Sequence, residues 1–280
     1  MSPASGARSE ATRGLASREP SGVLQIETRR GIKCQVREAG SGAPLVFLHG
    51  AGGLLPEEPL LAKLAERFHV FAPVWPGFGE EPGEDLLEDM LDFTLHGWDV
   101  VEALGLERPH LVGHSMGGMI AAEMACVDNT RVEKLALLAP VGLWLDAHPL
   151  PDLFATPPWE LPPLLFADPA AGQKLMLAGL DFGNDAALTR FMVENARRLG
   201  SAGKILFPIP NRRLSKRLYR LRAATLLVWG QQDKLVPPVY AARWQELIPK
   251  ARLAWVEGAG HMLHLEQPAA VVEAITGFLA

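Results

Sequence analysis

The sequence is poor in the features that mark several large classes of protein. Its two cysteines, Cys34 and Cys126, lie on different predicted elements and are too few for a disulfide framework or a zinc site. No apolar run approaches the roughly 20 residues that span a bilayer, and the first 20 residues lack the apolar segment of a secretory signal. We therefore expect free buried thiols, no membrane association, a disordered tail over residues 1–21 and a cytoplasmic location.

An excess of positive charge is also missing. The formal net charge is −5, so nothing in the composition favours binding to nucleic acid or to an anionic membrane. No His, Cys, Asp and Glu residues cluster at metal-ligand spacing, and no glycine-rich phosphate loop carries a partner lysine. We expect neither a metal nor a cofactor. The 280 residues, 48% of them hydrophobic, suit one large α/β domain that carries an insertion.

Apolar runs and helical patterns alternate along most of the chain. Residues 23–29 and 32–38 alternate apolar and polar side chains, which predicts an antiparallel hairpin. The pattern from 84 to 104 predicts a helix. Six further runs predict strands: 44–49, 69–73, 110–112, 132–139, 225–229 and 251–256. The first two are typical of buried strands. This alternation predicts a mostly parallel, eight-stranded sheet flanked by helices, formed by residues 22–142 and 223–280.

The alternation stops between the sixth and seventh predicted strands. Residues 143–222 contain no convincing strand, and helical patterns cover about 169–180, 185–199 and 212–221. The last pattern is strongly basic, which we interpret as a solvated helix face. An all-helical insertion at this point predicts a cap over the carboxyl ends of the strands, where open α/β sheets bind ligands.

A serine stands at the junction of a predicted strand and a predicted helix, within Gly113-His114-Ser115-Met116-Gly117. A serine on such a tight bend is held in a strained conformation with its hydroxyl pushed outward. Glycines two residues before and after it avoid a collision. The spacing therefore predicts a nucleophile at Ser115, although a glycine-rich turn with a helix-capping serine would share the bare pattern.

A glycine-rich loop, His49-Gly50-Ala51-Gly52-Gly53, follows the first buried strand of the parallel part. Such a loop lets backbone N–H groups approach a ligand closely. We assign one oxyanion donor to the N–H of Ala51, with Gly52 as the alternative, and the other to Met116, the residue after the nucleophile. His49 we interpret as a structural histidine that bonds to loop backbone.

Two further polar residues follow predicted strands and complete the order Ser, Asp, His. Asp233 comes directly after the run at 225–229, and His261 follows a glycine-flanked turn after the last strand. His261 would act as base and then as acid, while Asp233 would fix its tautomer. Asp146 is the rival acid and His264 the rival base.

These stretches together resemble the signature segments of the α/β-hydrolase superfamily. The segments are LVFLHGAGG, PGFG, LVGHSMGG, LLVWGQQDKLVP and EGAGHMLHLEQP, and the resemblance covers residues 22–280 apart from the insertion. It points to the branch with helical caps, which includes carboxylesterases, lactonases and meta-cleavage-product C–C hydrolases. It implies Ser115, Asp233 and His261 as the triad, with Ala51 and Met116 at the oxyanion hole.

The leading expectation is a serine hydrolase that cleaves small to medium apolar carboxylic esters, including a lactone or a thioester. The enzymatic alternative is a C–C bond hydrolase. Such relatives often carry Asn before the serine and Trp after the histidine, where this chain has His114 and Met262. A cap arginine such as Arg190 or Arg197 would then have to reach the substrate carboxylate. An alternative of another class is a ligand-binding receptor on a hydrolase scaffold. We expect a small-molecule partner and a monomer or homodimer.

Overall fold

The computed structural model describes residues 21–80, 82–178, 183–207 and 211–280. The tail that we predicted to be disordered lies, but for its last residue, outside the described residues, as does the end of the helix predicted over 169–180. Within the described ranges, no helix is long and apolar enough to cross a membrane.

A single eight-stranded sheet, mostly parallel, organises the chain, and this prediction is confirmed. The spatial order of its strands is β1-β2-β4-β3-β5-β6-β7-β8. Strand β2 pairs antiparallel with β1 and β4, and every pair from β4 to β8 is parallel. The strands are β1 Ser21–Glu27, β2 Lys33–Ala39, β3 Ala43–Leu48, β4 Phe68–Pro73, β5 His110–His114, β6 Lys134–Leu138, β7 Ala224–Gly230 and β8 Arg252–Val256.

Helices cover the sheet and follow its strands. They are α1 Pro59–Leu64, α2 Met90–Ala103, α3 Met116–Val127, α4 Leu161–Leu165, α5 Pro169–Met176, α6 Asp185–Leu206, α7 Val239–Leu247, α8 Leu263–Glu266 and α9 Pro268–Leu279. The helix predicted over 84–104 is shorter. Asp89 accepts hydrogen bonds from the N–H groups of Leu91 and Asp92, which caps α2 at Met90. A separate 3-10 turn spans Glu84–Leu86.

The core lies on both faces of the central strands. All five residues of β5 are buried, as are eleven of the twelve residues of α3. Continuous apolar runs suit this position because a parallel strand is covered by helices on both sides. The serine between β5 and α3 therefore rests on the most enclosed part of the fold.

Helices and turns connect β6 to β7. This segment holds α4, α5 and α6, and in its described part no residue is assigned to a strand. The prediction of a solvated helix over 212–221 is wrong, because the segment forms two 3-10 turns, Leu214–Lys216 and Leu218–Arg220. Two of its arginines bond to the core: Arg217 pairs with buried Glu123, and Arg220 Nε donates to the Cys126 carbonyl. Arg213, Lys216 and Arg222 are exposed.

Candidate active site

Ser115 stands at the bend between β5 and α3 with φ 53° and ψ −113°. The glycines around it fit for steric reasons. A Cβ on Gly113 would lie 2.4 Å from the carbonyl oxygen of Gly117, and a Cβ on Gly117 would lie 2.0 Å from that of Leu48. The spacing read from the sequence therefore corresponds to a close approach of three backbone segments.

Ser115, His261 and Asp233 form a chain of hydrogen bonds. Ser115 Oγ lies 2.8 Å from His261 Nε2, and His261 Nδ1 lies 2.9 Å from Asp233 Oδ2. A carboxylate only accepts, so Nδ1–H donates to Asp233 and Nε2 is left to accept from the serine hydroxyl. All three side chains are buried. The arrangement can move the serine proton to an oriented imidazole.

Asp233 uses both of its carboxylate oxygens. While Oδ2 accepts from His261, Oδ1 accepts the backbone N–H groups of Leu235 and Val236 at 3.0 and 2.8 Å. These bonds close a turn after β7 and fix the orientation of the carboxylate. Asp233 thus closes the turn and orients the histidine at the same time.

The loops that carry Asp233 and His261 are bonded to each other. The N–H of Gln232 donates to the carbonyl of Ala259 at 3.0 Å. A Cβ on Gly230 would lie 2.2 Å from the carbonyl oxygen of Gly260, so a larger residue would separate the loops. The pairing of β7 with β8 therefore helps to set the distance between Asp233 and His261.

Glu266 connects the histidine loop to the insertion. Its Oε2 accepts the N–H of Gly260 and its Oε1 accepts the N–H of Ala167, both at 2.7 Å. The N–H of Met262 adds a bond to the carbonyl of Leu165 at 3.0 Å. Sequence reasoning missed this contact, for which the only local signal is a glutamate one turn after the histidine.

The glycine-rich loop after β3 lies directly against the nucleophile elbow, which is the bend at Ser115 between β5 and α3. A Cβ on Gly50 would lie 3.3 Å from the Cβ of Ser115. The N–H of Gly53 donates to the carbonyl of Gly50 at 3.1 Å and closes a turn that contains Ala51. On the other side, Ser115 makes no side-chain cap to α3, so Met116 begins a helix whose first N–H groups point toward the bend.

The other histidines near the site are engaged elsewhere. His49 Nδ1 donates to the carbonyl of Gly50 at 2.8 Å, and its Nε2 accepts the N–H of Trp75 at 3.2 Å. His114 Nε2 donates to the backbone carbonyl of His261 at 2.9 Å. The ring of His264 packs against that of His114 at a tilt of 49°, with ring centroids 4.2 Å apart. Burial lowers the pKa of His49 to about 4 and that of His264 to about 3, so both rings are neutral near pH 7.

The rival acid lies on the surface. Asp146 is exposed, and its Oδ1 accepts the indole N–H of Trp144 at 2.9 Å. The contacts of His261 are to Asp233, to Ser115 and, through its backbone, to His114. The structure therefore brings the Ser-His-Asp set together without Asp146.

A cavity opens at Ser115 between the sheet and the insertion. The space within it and at its mouth amounts to about 550 Å³, which includes open solvent, and its walls are mainly apolar. The core contributes Met119 and Val236, and the insertion contributes Phe154 and Leu206. Arg212 is the one charged residue of the lining within the described chain, and its Nε and Nη2 bond to carbonyls at the carboxyl end of α6.

No group of three or more His, Cys, Asp or Glu residues in the described ranges has the geometry to hold a metal ion. The two arginines considered for a substrate carboxylate lie away from the cavity lining. Arg190 is exposed, and Arg197 bonds to Glu84 and to the carbonyl of Gly79.

Fold, elbow and hydrogen-bonded Ser-His-Asp set define a class of protein. The chain belongs to the alpha/beta hydrolase family, whose sequence profile matches residues 45–274. Family membership and the hydrolases among its relatives support hydrolase activity for this chain at the level of the family.

Individual relatives are distant, but the similarity covers most of both chains. It is 27% identical to 2-hydroxymuconate semialdehyde hydrolase of Pseudomonas sp. strain CF600, over 89% of this chain and 91% of the relative. It is 26% identical to Lipase 1 of Psychrobacter immobilis, over 87% and 80%. The crystal structure of naproxen esterase from Bacillus subtilis shares the fold, with a TM-score of 0.69, 24% identity and coverage of 92% and 91%.

Proposed function

We propose that the protein is a serine hydrolase that cleaves small to medium, largely apolar carboxylic esters through an acyl-serine intermediate. The observation that carries the proposal is the pair of hydrogen bonds from Ser115 Oγ to His261 Nε2 and from His261 Nδ1 to Asp233 Oδ2. Serine is a poor nucleophile until a base removes its proton, and this pair supplies that base already oriented.

In the acylation step, Ser115 Oγ attacks the ester carbonyl carbon while His261 Nε2 takes the hydroxyl proton. The carbonyl oxygen becomes an oxyanion, which the N–H groups of Ala51 and Met116 stabilise. Each such donor contributes about 3–4 kcal/mol in related sites. Collapse of the intermediate breaks the bond to the alcohol oxygen, and His261 returns the proton to that oxygen.

Deacylation repeats the sequence with water. His261 removes a proton from a water molecule as it attacks the acyl carbon, and a second oxyanion forms at the same place. The bond to Ser115 Oγ then breaks, the proton returns to the serine, and the carboxylic acid leaves. The neutral rings of His49 and His264 take no proton in this scheme, because burial keeps their pKa values low.

The cavity supports an apolar substrate of limited size. Its walls are mainly hydrophobic and are formed by both the core and the insertion, which suits a small apolar ligand better than a polymer chain. We propose that residues 143–222 act as a cap, since side chains of this segment form one wall of the cavity. In this arrangement the core supplies the chemistry and the cap selects the substrate.

A panel of p-nitrophenyl esters of increasing chain length tests the proposal on wild type, Ser115→Ala and Ser41→Ala. Ser41 is an exposed turn serine and serves as the matched control. We expect hydrolysis that peaks at short to medium acyl chains, loss of at least about 10³-fold in kcat for Ser115→Ala and no change for Ser41→Ala. A fluorophosphonate should add one label to the wild type and none to Ser115→Ala. Absence of ester hydrolysis, or full activity in Ser115→Ala, would overturn the proposal.

A second candidate is hydrolysis of a C–C bond. It is favoured by the similarity to 2-hydroxymuconate semialdehyde hydrolase over nearly the whole of both chains. Adding a dienone acid substrate to the panel separates the two. Turnover of this substrate well above that of every ester would favour the second candidate, and the reverse would favour the first.

A further inference from the structure

Helix α6 of the insertion rests on the core through a row of polar side chains. Arg197, Arg198, Ser201 and Lys204 follow one another at helical spacing and share one side of the helix. Ser201 Oγ donates to the carbonyl of Pro76 at 2.7 Å, and Lys204 Nζ donates to that of Glu84 at 2.6 Å. These bonds dock α6 on the loop after β4.

Arg197 strengthens this docking. Its Nε and Nη2 donate to the two carboxylate oxygens of Glu84 at 2.6 and 2.8 Å, and its Nη1 donates to the carbonyl of Gly79 at 2.7 Å. Such a two-pronged pair fixes orientation as well as position. The hydrogen bonds to Arg197 accordingly lower the pKa of Glu84.

Arg198, the next residue, reaches a different loop. Its Nη1 donates to the carbonyl of Gly52 at 3.4 Å. Its Cδ lies 3.7 Å from the position that a Cβ of Gly53 would take, so the arginine stem runs alongside Gly53. Gly52 and Gly53 belong to the same turn as Ala51, the proposed oxyanion donor.

This turn needs an external constraint. Three of its four residues are glycines, which have more backbone conformations open to them than any other residue. Gly53 has a φ of +80°. The Gly50 carbonyl, which shares a peptide unit with the Ala51 N–H, accepts from the Gly53 N–H inside the turn and from His49 Nδ1 outside it. The Gly52 carbonyl shares a peptide unit with the Gly53 N–H, so the donor from Arg198 disfavours rotation of that unit. Through the bond from the Gly53 N–H to the Gly50 carbonyl, it also disfavours misalignment of the Ala51 N–H.

The positive charge of Arg198 also affects His49, which lies at the start of this loop. The pKa of His49, at the end of β3, is lowered mainly by burial and further by the positive charges of Arg37 and Arg198. The same field favours negative charge that develops on a substrate oxygen beside the loop. Both effects act on the oxyanion side of the cavity.

We propose that Arg198 is a positioning residue for the oxyanion hole: from the insertion, it holds the 50–53 turn so that the Ala51 N–H faces the developing oxyanion. Docking of α6 over the cavity then completes the catalytic arrangement in addition to covering the substrate. The inference rests on the proposed ester hydrolysis, since it concerns the oxyanion of that reaction.

The test compares Arg198→Gln and Arg198→Lys with Arg190→Gln, an exposed arginine eight positions earlier on the same helix. Each variant is assayed for kcat and KM with a p-nitrophenyl ester. Inhibition is measured with a trifluoromethyl ketone, which forms an oxyanion adduct with the serine. It is also measured with the matching secondary alcohol, which forms no oxyanion. Thermal unfolding monitors the fold of each variant.

For Arg198→Gln we expect kcat to fall about 10- to 100-fold. This loss is smaller than the one caused by removing an oxyanion-hole donor completely, because the Ala51 N–H is still present. The inhibition constant of the ketone should rise by a similar factor while that of the alcohol stays within about twofold. Arg198→Lys should recover part of both losses, and Arg190→Gln should match the wild type.

Two results would overturn the inference while leaving ester hydrolysis intact. One is an Arg198→Gln enzyme with unchanged kcat and ketone inhibition. The other is equal weakening of ketone and alcohol, which would assign Arg198 to cap closure alone. Absence of ester hydrolysis in the wild type would overturn the proposed function and this inference with it.

Discussion

At the scale of single residues, the proposed site depends on which nitrogen of His261 carries the proton. Asp233 is enclosed by two backbone donors on one oxygen and His261 on the other, so its carboxylate has no freedom to turn. His261 is presented to Ser115 with Nε2 unprotonated only because Nδ1–H has an acceptor. The tautomer of one ring thus follows from the turn after β7.

Asp233→Asn should retain the fold and lose activity. The Asn carbonyl can still accept from Leu235 and Val236, which turns the amide NH₂ toward His261 Nδ1. Two donors cannot bond, so the ring adopts the other tautomer and its Nε2 can no longer take the serine proton. We expect kcat to fall on the order of 10⁴-fold, with unfolding changed little.

Asp146→Asn is the matched control for this prediction, because Asp146 is exposed and bonds to Trp144. Its kcat should stay within about twofold of the wild type. The reverse outcome, an active Asp233→Asn and an inactive Asp146→Asn, would show that the acid of the site had been chosen wrongly.

At the scale of elements, the elbow depends on contact between α3 and β3. Gly117→Ala would place a methyl group 2.0 Å from the carbonyl oxygen of Leu48, which is backbone within a buried strand and cannot move aside. We expect a loss of about 3 kcal/mol or more in the free energy of unfolding, together with loss of esterase activity, as measured by urea denaturation and kinetics.

Gly277→Ala provides the matched substitution. Gly277 lies within α9, and a Cβ there meets no atom within 4 Å. Alanine favours helix over glycine, so this variant should gain about 0.5–1 kcal/mol and keep its activity. Equal effects of the two substitutions would mean that helix propensity, and not the contact with β3, decides the outcome at Gly117.

The elements differ in how far they could be predicted from the sequence. The strands could be predicted because β1 and β2 alternate apolar and polar residues and the other six are short, largely apolar runs. The Gly-x-Ser-x-Gly pattern located the bend because its spacing has a steric cause. The segment after α6 could not. Its arginines look like a solvated helix face, but Arg217 pairs with Glu123 and Arg212 with carbonyls of α6. Contacts between distant residues, such as Arg198 on Gly52, leave no local pattern to read.

At the scale of the whole molecule, buried histidines dominate the response to pH. Burial lowers the pKa of His49 and His96 to about 4 and of His264 to about 3, and it holds that of His114 well below 6.5. Glu58 is the exception in the opposite direction, because burial raises its pKa to about 7.

These shifts predict that the fold is sensitive to acid. The four imidazoles stay neutral in the fold, whereas the unfolded chain binds a proton at each as the pH falls through 6.5. Their stabilising contribution is therefore present above 6.5 and is lost toward pH 4. Glu58 opposes this, since its contribution is present below about 4.5 and is lost as the pH rises through 7. The imidazoles outnumber the single opposing carboxyl, so unfolding near pH 5.5 takes up protons overall.

We expect Tm to fall steeply between pH 7 and pH 5, as calorimetry at several pH values would show. His264→Gln should reduce the slope by about one proton, and His148→Gln, at an exposed position, should leave it unchanged. A Tm independent of pH over this range would contradict the low pKa values of the buried rings.

The backbone conformation of Ser115 has a thermodynamic consequence. A φ of 53° with a ψ of −113° is a conformation that glycine adopts freely and a serine adopts only under constraint, at about 1–3 kcal/mol. Packing alone would favour glycine at position 115, and no capping bond from the hydroxyl to α3 compensates for the difference. The fold therefore holds a destabilising side chain in its buried centre, where stability and the proposed chemistry make opposite demands on one residue.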